Sequence, residues 1–222
     1  MARRSVADSL DQRIGRVVAV KEITTSGEQT LVTYDYLGLT FVIRKTCPQP
    51  QITLDLWGGV TGVYAGLDLF NRVTDQRWTG ASTDAARLQY GYDRASRRTY
   101  RLDAVAQSLS KNLDELYVYD GLSQITSLLR GLLDSAHTDL VPDTENFNEA
   151  WQYDGIGNWS HYTQGNPAPV LDQERQHNNV NEIVRFQGGD WPQPRHAAAG
   201  NTTRAIRGGF NCLSGLTEFR RP

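Results

Sequence analysis

Trp151-Gln152-Tyr153-Asp154-Gly155-Ile156-Gly157-Asn158 is the stretch whose reading decides the fold of this chain. It places aromatics at alternate positions ahead of an aspartate, and a glycine three residues after it. Asp is favoured at the first position of a type I turn, where its carboxylate accepts backbone N–H groups further along. A residue that tolerates positive φ at the fourth position lets a bulged hairpin close. The alternate aromatics share one face of the incoming strand. The stretch therefore predicts a strand, a capped turn and a returning strand. Its apolar face stays unburied until a neighbouring unit covers it.

The same frame recurs outward from this point. With 10 tyrosines and 17 aspartates in 222 residues, chance gives less than one Tyr-Asp step. There are four: Tyr34-Asp35, Tyr92-Asp93, Tyr119-Asp120 and Tyr153-Asp154. Tyr90, Tyr117 and Trp151 stand two residues ahead of the last three tyrosines, and Gly38, Ser96, Ser123 and Gly157 follow three residues after the aspartates. Degenerate copies are Leu67-Asp68 with Asn71-Arg72, His177-Asn178 with Asn181-Glu182, and His196-Ala197 with Gly200-Asn201. Successive aspartate positions lie 19 to 34 residues apart. Self-similarity at such a period is the mark of stacked repeats, whose stability is close to a sum over neighbours.

Between the turns the chain reads as short strands. Arg16–Ile23, Thr30–Tyr36, Leu39–Ile43, Val60–Tyr64, Leu88–Tyr92 and Asn181–Phe186 are rich in β-branched and aromatic residues. Ile125, Leu128, Leu129, Leu132 and Leu133 fall near helical spacing, but this run follows a turn of the recurring type and is read as strand. The expected fold is all-β, a repetitive array of antiparallel hairpins. Residues 1–15 form a lead-in, 16–207 the array and 208–222 a tail.

Composition fits this picture and narrows the function. Apolar residues make up 39% and mean hydropathy is -0.51, polar for a compact globule, while 9% aromatics argue against disorder. A net charge of -2 gives no footprint for nucleic acid. No stretch approaches the ~20 apolar residues of a membrane span. Arg3 and Arg4 are followed by no apolar run, so no signal peptide is visible and the location stays unknown. Cys47 and Cys212 lie far apart and are read as unpaired thiols.

No residue set supplies catalysis, a cofactor or a metal. His137, His161, His177 and His196 show no ligand spacing, and the last two fall in the tyrosine slot of degenerate repeats, which implies ring packing. Asp35, Asp93, Asp120 and Asp154 each offer one carboxylate per turn, whereas calcium needs several converging oxygens, so they are read as turn caps. Ser160 and His161 are adjacent and point to opposite faces of a strand. The aromatics admit a second use, since apolar sugar faces stack on exposed rings.

Tyr153-Asp-Gly-Ile-Gly-Asn158, with its weaker copies, resembles the YD repeat of the RHS (rearrangement hotspot) family. The resemblance covers about Val17 to Thr203 and carries the repeat signature Tyr34, Asp35, Gly38, Asp68, Tyr92, Asp93, Tyr119, Asp120, Trp151, Tyr153, Asp154, Gly157, Asn158, Gly200 and Asn201. It implies a spiral sheet, here a partial β-shell. In that family the shell encloses a toxic C-terminal domain, or serves encapsulation or cell-surface adhesion in toxin-complex and teneurin proteins. About seven units are present, and nothing matches the core region that follows the repeats in that family. Only the shell-forming role is carried over. The expectation is a non-enzymatic structural segment, a piece of a larger secreted or surface protein. Its partners would be other YD repeats, or a second copy met through sheet edges. The alternative is an adhesion module that binds carbohydrate or protein through exposed aromatics.

Overall fold

The computed structural model describes residues 2–5, 14–58, 64–166, 168–189, 193–197 and 202–204, with the backbone alone for the first and last of these. Gly200, Asn201, Cys212 and most of the Val60–Tyr64 strand expectation lie outside the described residues.

The fold is all-β. One sheet contains β1 (Ala2–Ser5), β2 (Ala19–Thr24), β3 (Gly27–Leu37), β4 (Phe41–Cys47), β5 (Ile52–Asp55), β6 (Asp75–Thr79), β7 (Asp84–Tyr92), β8 (Arg98–Asp103), β9 (Asp114–Tyr119), β10 (Ile125–Gly131), β11 (Phe147–Tyr153), β12 (Trp159–Asn166), β13 (Ala168–His177) and β14 (Ile183–Gln187). Every strand in it is hydrogen-bonded to its neighbours in sequence. β15 (Arg195–His196) and β16 (Thr202–Arg204) pair separately. β1 lies in the stretch read as a lead-in and pairs antiparallel with β2. The leucine-rich run with near-helical spacing is strand, β10. The single described helix, α1 (Ala104–Ser108), has its N-cap at Asp103, whose Oδ1 accepts the Ala106 N–H at 2.9 Å.

A bulge fixes the register ahead of the turns. Gly91 pairs with Tyr100 but Tyr92 with Arg98; Gln152 pairs with His161 but Tyr153 with Trp159; Gln176 pairs with Arg185 but His177 with Ile183. In each hairpin one residue of the returning strand is skipped opposite the residue that precedes the turn, which sharpens the local twist.

The chain divides into two compact units, Met1–Tyr117 with Leu129–Asn146, and Val118–Leu128 with Phe147–Pro222. The first buries Ile43, Leu56, Tyr90, Leu102, Ala106 and Leu133. At its centre the fully buried Asp114 accepts the Asp103 N–H at 2.8 Å, the Gln107 Nε2–H at 2.7 Å and the Leu133 N–H at 3.1 Å. A buried carboxylate is tolerable only with such donors, and here they tie β9 to α1 and to the segment after β10. The second unit buries Trp151, Tyr162 and Phe186, with Gln173 among them.

Candidate functional site: the row of capped turns

Five turns among the described residues share one geometry, headed by Asp68, Asp93, Asp120, Asp154 and Asn178, and Asp134 heads a longer variant. In the turn of the opening stretch, Asp154 Oδ1 accepts the N–H of Ile156 at 3.0 Å and of Asn158 at 2.9 Å. The Asp154 N–H donates to the Asn158 carbonyl at 2.9 Å, and the Gly157 N–H to the Asp154 carbonyl at 3.1 Å. The same set forms at Asp68 with Phe70 and Arg72, at Asp93 with Ala95 and Arg97, at Asp120 with Leu122 and Gln124, and at Asn178 with Val180 and Glu182. The Asp134 turn is one residue longer, closing on Asp139. The fourth residue of each turn has positive φ: Asn71 59°, Ser96 62°, Ser123 66°, His137 55°, Gly157 89° and Asn181 64°.

The last residue of the frame closes the cap with its side chain. Arg72 Nε donates to Asp68 Oδ2 at 2.6 Å, Arg97 Nε to Asp93 Oδ2 at 2.6 Å, and Asn158 Nδ2 to Asp154 Oδ2 at 3.0 Å. In the Asn178 turn the roles invert, and Asn178 Nδ2 donates to Glu182 Oε2 at 2.8 Å. These bonds shift the acids. The Arg97 guanidinium, with the Arg97 backbone N–H, holds Asp93 below the usual carboxylate range. The Asn158 amide and backbone N–H do the same for Asp154, and the Thr138 N–H for Asp134. At Asp68, desolvation pushes upward, yet the donors from Arg72 and Phe70 outweigh it.

The turns are linked to one another. Tyr92 Oη donates to the Val73 carbonyl at 2.8 Å, Tyr153 Oη to the Ile125 carbonyl at 2.6 Å, and His196 Nε2 to the Ile183 carbonyl at 3.0 Å. The acceptors Val73, Ile125 and Ile183 are the residues just past the Asp68, Asp120 and Asn178 turns, and Tyr92 and Tyr153 stand just before the Asp93 and Asp154 turns. The frame's last residue reaches the other way. Arg72 Nη1 donates to Ser96 Oγ and to the Asp93 carbonyl, both at 3.1 Å, and Asn158 Nδ2 to Asn181 Oδ1 at 3.3 Å. These bonds join the Asp68 turn to the Asp93 turn in the first unit, and the Asp120, Asp154 and Asn178 turns to one another in the second, each set as a short ladder.

Asp35 stands apart from the other signature aspartates. It lies inside β3, its Oδ2 is 3.9 Å from Arg44 Nη1, and it accepts no turn N–H. Tyr36, not Tyr34, makes the hydroxyl link, donating to the Val17 carbonyl at 2.5 Å. The bulge of this hairpin also falls at Tyr36, so the frame is shifted by two residues, and of the turn residues 38–40 Gly38 alone has positive φ, at 62°. Neither Asp134 nor Asp114 carries the Tyr-Asp signature. Asp134 lacks a preceding aromatic, and Asp114 has no repeat frame at all. Tyr119 does precede the Asp120 cap.

The second unit holds a ring cluster on β11, β12, β13 and β14. Trp151 lies 5.8 Å from Tyr162 and 6.0 Å from Trp159, and Trp159 stacks on Tyr162 at 5.5 Å. The Trp151 indole N–H is buried without an acceptor. Tyr162 Oη donates to Glu149 Oε1 at 2.5 Å, and burial followed by this bond raises the phenol well above its usual range. Elsewhere on β12, His161 Nε2 and Asp172 Oδ1 lie 2.6 Å apart. The open cleft between the β6–β7 turn and α1 is lined by Arg77 and Arg87, which Asp84 and Asp75 already hold. Among the described residues no group of three or more His, Cys, Asp or Glu is placed to hold a metal ion. No described helix is long and apolar enough to cross a membrane.

These features define an all-β protein built as a linear array of hairpins with a ladder of capped turns. No protein-family profile and no curated protein matches the sequence. Among solved structures, the fold is similar to part of TcdB2-TccC3-TEV, with a TM-score of 0.55 at 16% identity over 77% of this chain and 9% of that one. TcdB2-TccC3 without its hypervariable C-terminal region gives 0.54 at 14% identity, over 77% and 9%. The Photorhabdus luminescens Tc holotoxin pore gives 0.50 at 10% identity, over 84% and 11%. The chain spans about a tenth of the length of the chains it matches.

Proposed function

We propose that this chain is a structural repeat segment of the shell-forming RHS/YD-repeat kind, built to stack against further repeats. The ladder of turns carries this reading. Polar atoms that look like chemistry in the sequence are spent on structure: Tyr92, Tyr153 and His196 hold one hairpin to another, and Asp93, Asp120 and Asp154 cap their own turns. Similarity of fold to much longer toxin chains supports a role as one segment of a longer wall. On this reading, association with a toxin or with a cell surface belongs to the assembly and needs no reactive site on this chain.

Repeat units stack on further repeats, and an exposed sheet edge adds strands to itself. Sedimentation velocity of the chain over a range of concentrations should show reversible, concentration-dependent association. A monomer at every concentration, with one sharp thermal transition, would sink the proposal.

A further inference from the structure

The second unit carries a cation without a counter-charge. The Arg175 guanidinium carbon lies 4.9 Å from the Trp159 ring centroid, 5.6 Å from that of Tyr162 and 5.9 Å from that of Phe186. Arg175 Nε donates to Gln173 Oε1 at 2.8 Å. No carboxylate among the described residues stands within 4.0 Å of Arg175, and Glu149 of the same cluster is engaged by Tyr162. Arg98, stacked on Tyr90 at 4.2 Å, is placed in the same way, while six arginines are paired. Arg44, Arg72, Arg77, Arg87, Arg97 and Arg101 each hold an Asp or Glu within 4.0 Å.

Laying a guanidinium on rings removes water from its planar faces, a loss that cation–π attraction offsets only in part. Burial alone pulls this guanidinium below its usual basicity. A half-buried cation with Nη donors to spare is the arrangement that an incoming anion stabilises, since charge-assisted and bidentate bonds are the strong ones. Trp159, which carries this guanidinium, is itself 39% exposed.

We propose that Arg175 and Trp159 form a binding site for an acidic saccharide, the Nη groups taking a sugar carboxylate and the indole stacking on the C–H face of the sugar ring. A hexuronic acid carries its carboxylate one bond from a stackable ring, whereas an Asp or Glu side chain brings no ring to the indole. The site goes beyond the structural role, and the shell-segment reading stands whether or not this site binds.

The test is titration of the full chain with hexagalacturonate, followed by tryptophan fluorescence and calorimetry. Its methyl-esterified form and an oligoglutamate serve as controls. Saturable binding of the free acid is expected, with no binding of the ester. Arg175→Gln and Trp159→Ala should each weaken it about tenfold or more. Arg175→Lys, which keeps the charge but loses the fork, should bind more weakly than the native chain. Circular dichroism melts report whether each variant folds. If Arg175→Gln does not, the acid-against-ester comparison on the native chain decides the charge requirement alone. Absence of saturation, unchanged affinity in a folded Arg175→Gln, or equal binding of the ester overturns the proposal. So does oligoglutamate binding as tightly, which would make the ligand a peptide carboxylate.

Discussion

Tyr153 shows what a single residue of the signature does. Its hydroxyl, 2.6 Å from the Ile125 carbonyl, fastens the turn it introduces to the strand that follows the Asp120 turn. Tyr153→Phe keeps the ring and removes the bond, so it should cost about 0.5–1.5 kcal/mol and lower the melting temperature by a few degrees. A Phe variant that melts with the native chain would show that the hydroxyl link is dispensable. Gly157 sits at φ 89°, and a Cβ there would meet Gln124 Nε2 at 3.0 Å. Gly157→Ala should therefore cost about 1–2 kcal/mol, the usual strain of a left-handed conformation. Gly157→Asn should be milder, because Asn71 and Asn181 hold that conformation in sister turns. At this scale the sequence shows the residue type and hides its partner. The Tyr153 acceptor lies 28 residues back, and nothing local to Tyr153 points to it.

The capped turn is the element that repeats, and it tolerates chemical substitution as long as its bonds survive. Asn178 heads a turn with the same geometry as the aspartates, its side-chain oxygen accepting the N–H groups of Val180 and Glu182, both at 3.0 Å. Asp93→Asn should thus keep the turn and lose only the pairing with Arg97, whereas Asp93→Ala loses both backbone acceptors. Urea midpoints should fall in the order native, Asn, Ala; an Ala variant as stable as the Asn one would deny the cap any role. Asp114 is a different case. Asp114→Ala strands three N–H donors, at about 1–3 kcal/mol for each left buried and unsatisfied, and should unfold the first unit well before the second in a two-probe denaturation. The repeat was legible because the Tyr-Asp step recurs in one local frame. The five-residue α1 and the Asp114 node were not, because a helix of that length carries no periodicity and a buried carboxylate is defined by donors brought together by the fold.

Over the whole molecule the caps act together on stability. Asp68, Asp93, Asp134 and Asp154 are held below their ordinary range, by the donors from Arg97 first at Asp93, the Thr138 N–H first at Asp134 and the Asn158 amide first at Asp154, and at Asp68 by the Arg72 and Phe70 donors against the larger opposing effect of desolvation. Their folded-state pKa values are depressed, so the stability they contribute is present above the unfolded value of about 3.9 and is lost as pH falls through the folded values. Thermal melts should be flat from about pH 7 to 5 and fall below about pH 4. A chain that melts higher at acid pH than at neutrality would contradict charged caps. The all-β array could be read from the sequence because each strand pairs with the next, but the division into two units could not, since no Pro- or Gly-rich linker marks it. The links between turns also have a direction. At Tyr92 and Tyr153 the slot before a turn reaches back to an earlier turn, and at Arg72 and Asn158 the frame's last residue reaches forward. A link of this kind is therefore polar, the earlier turn accepting the hydroxyl bond and the later one donating it. Copies that join by extending the ladder must do so head to tail, a heterologous contact that does not close on itself as a two-fold pair does. Assembly along this ladder has the symmetry of a growing filament, not of a dimer.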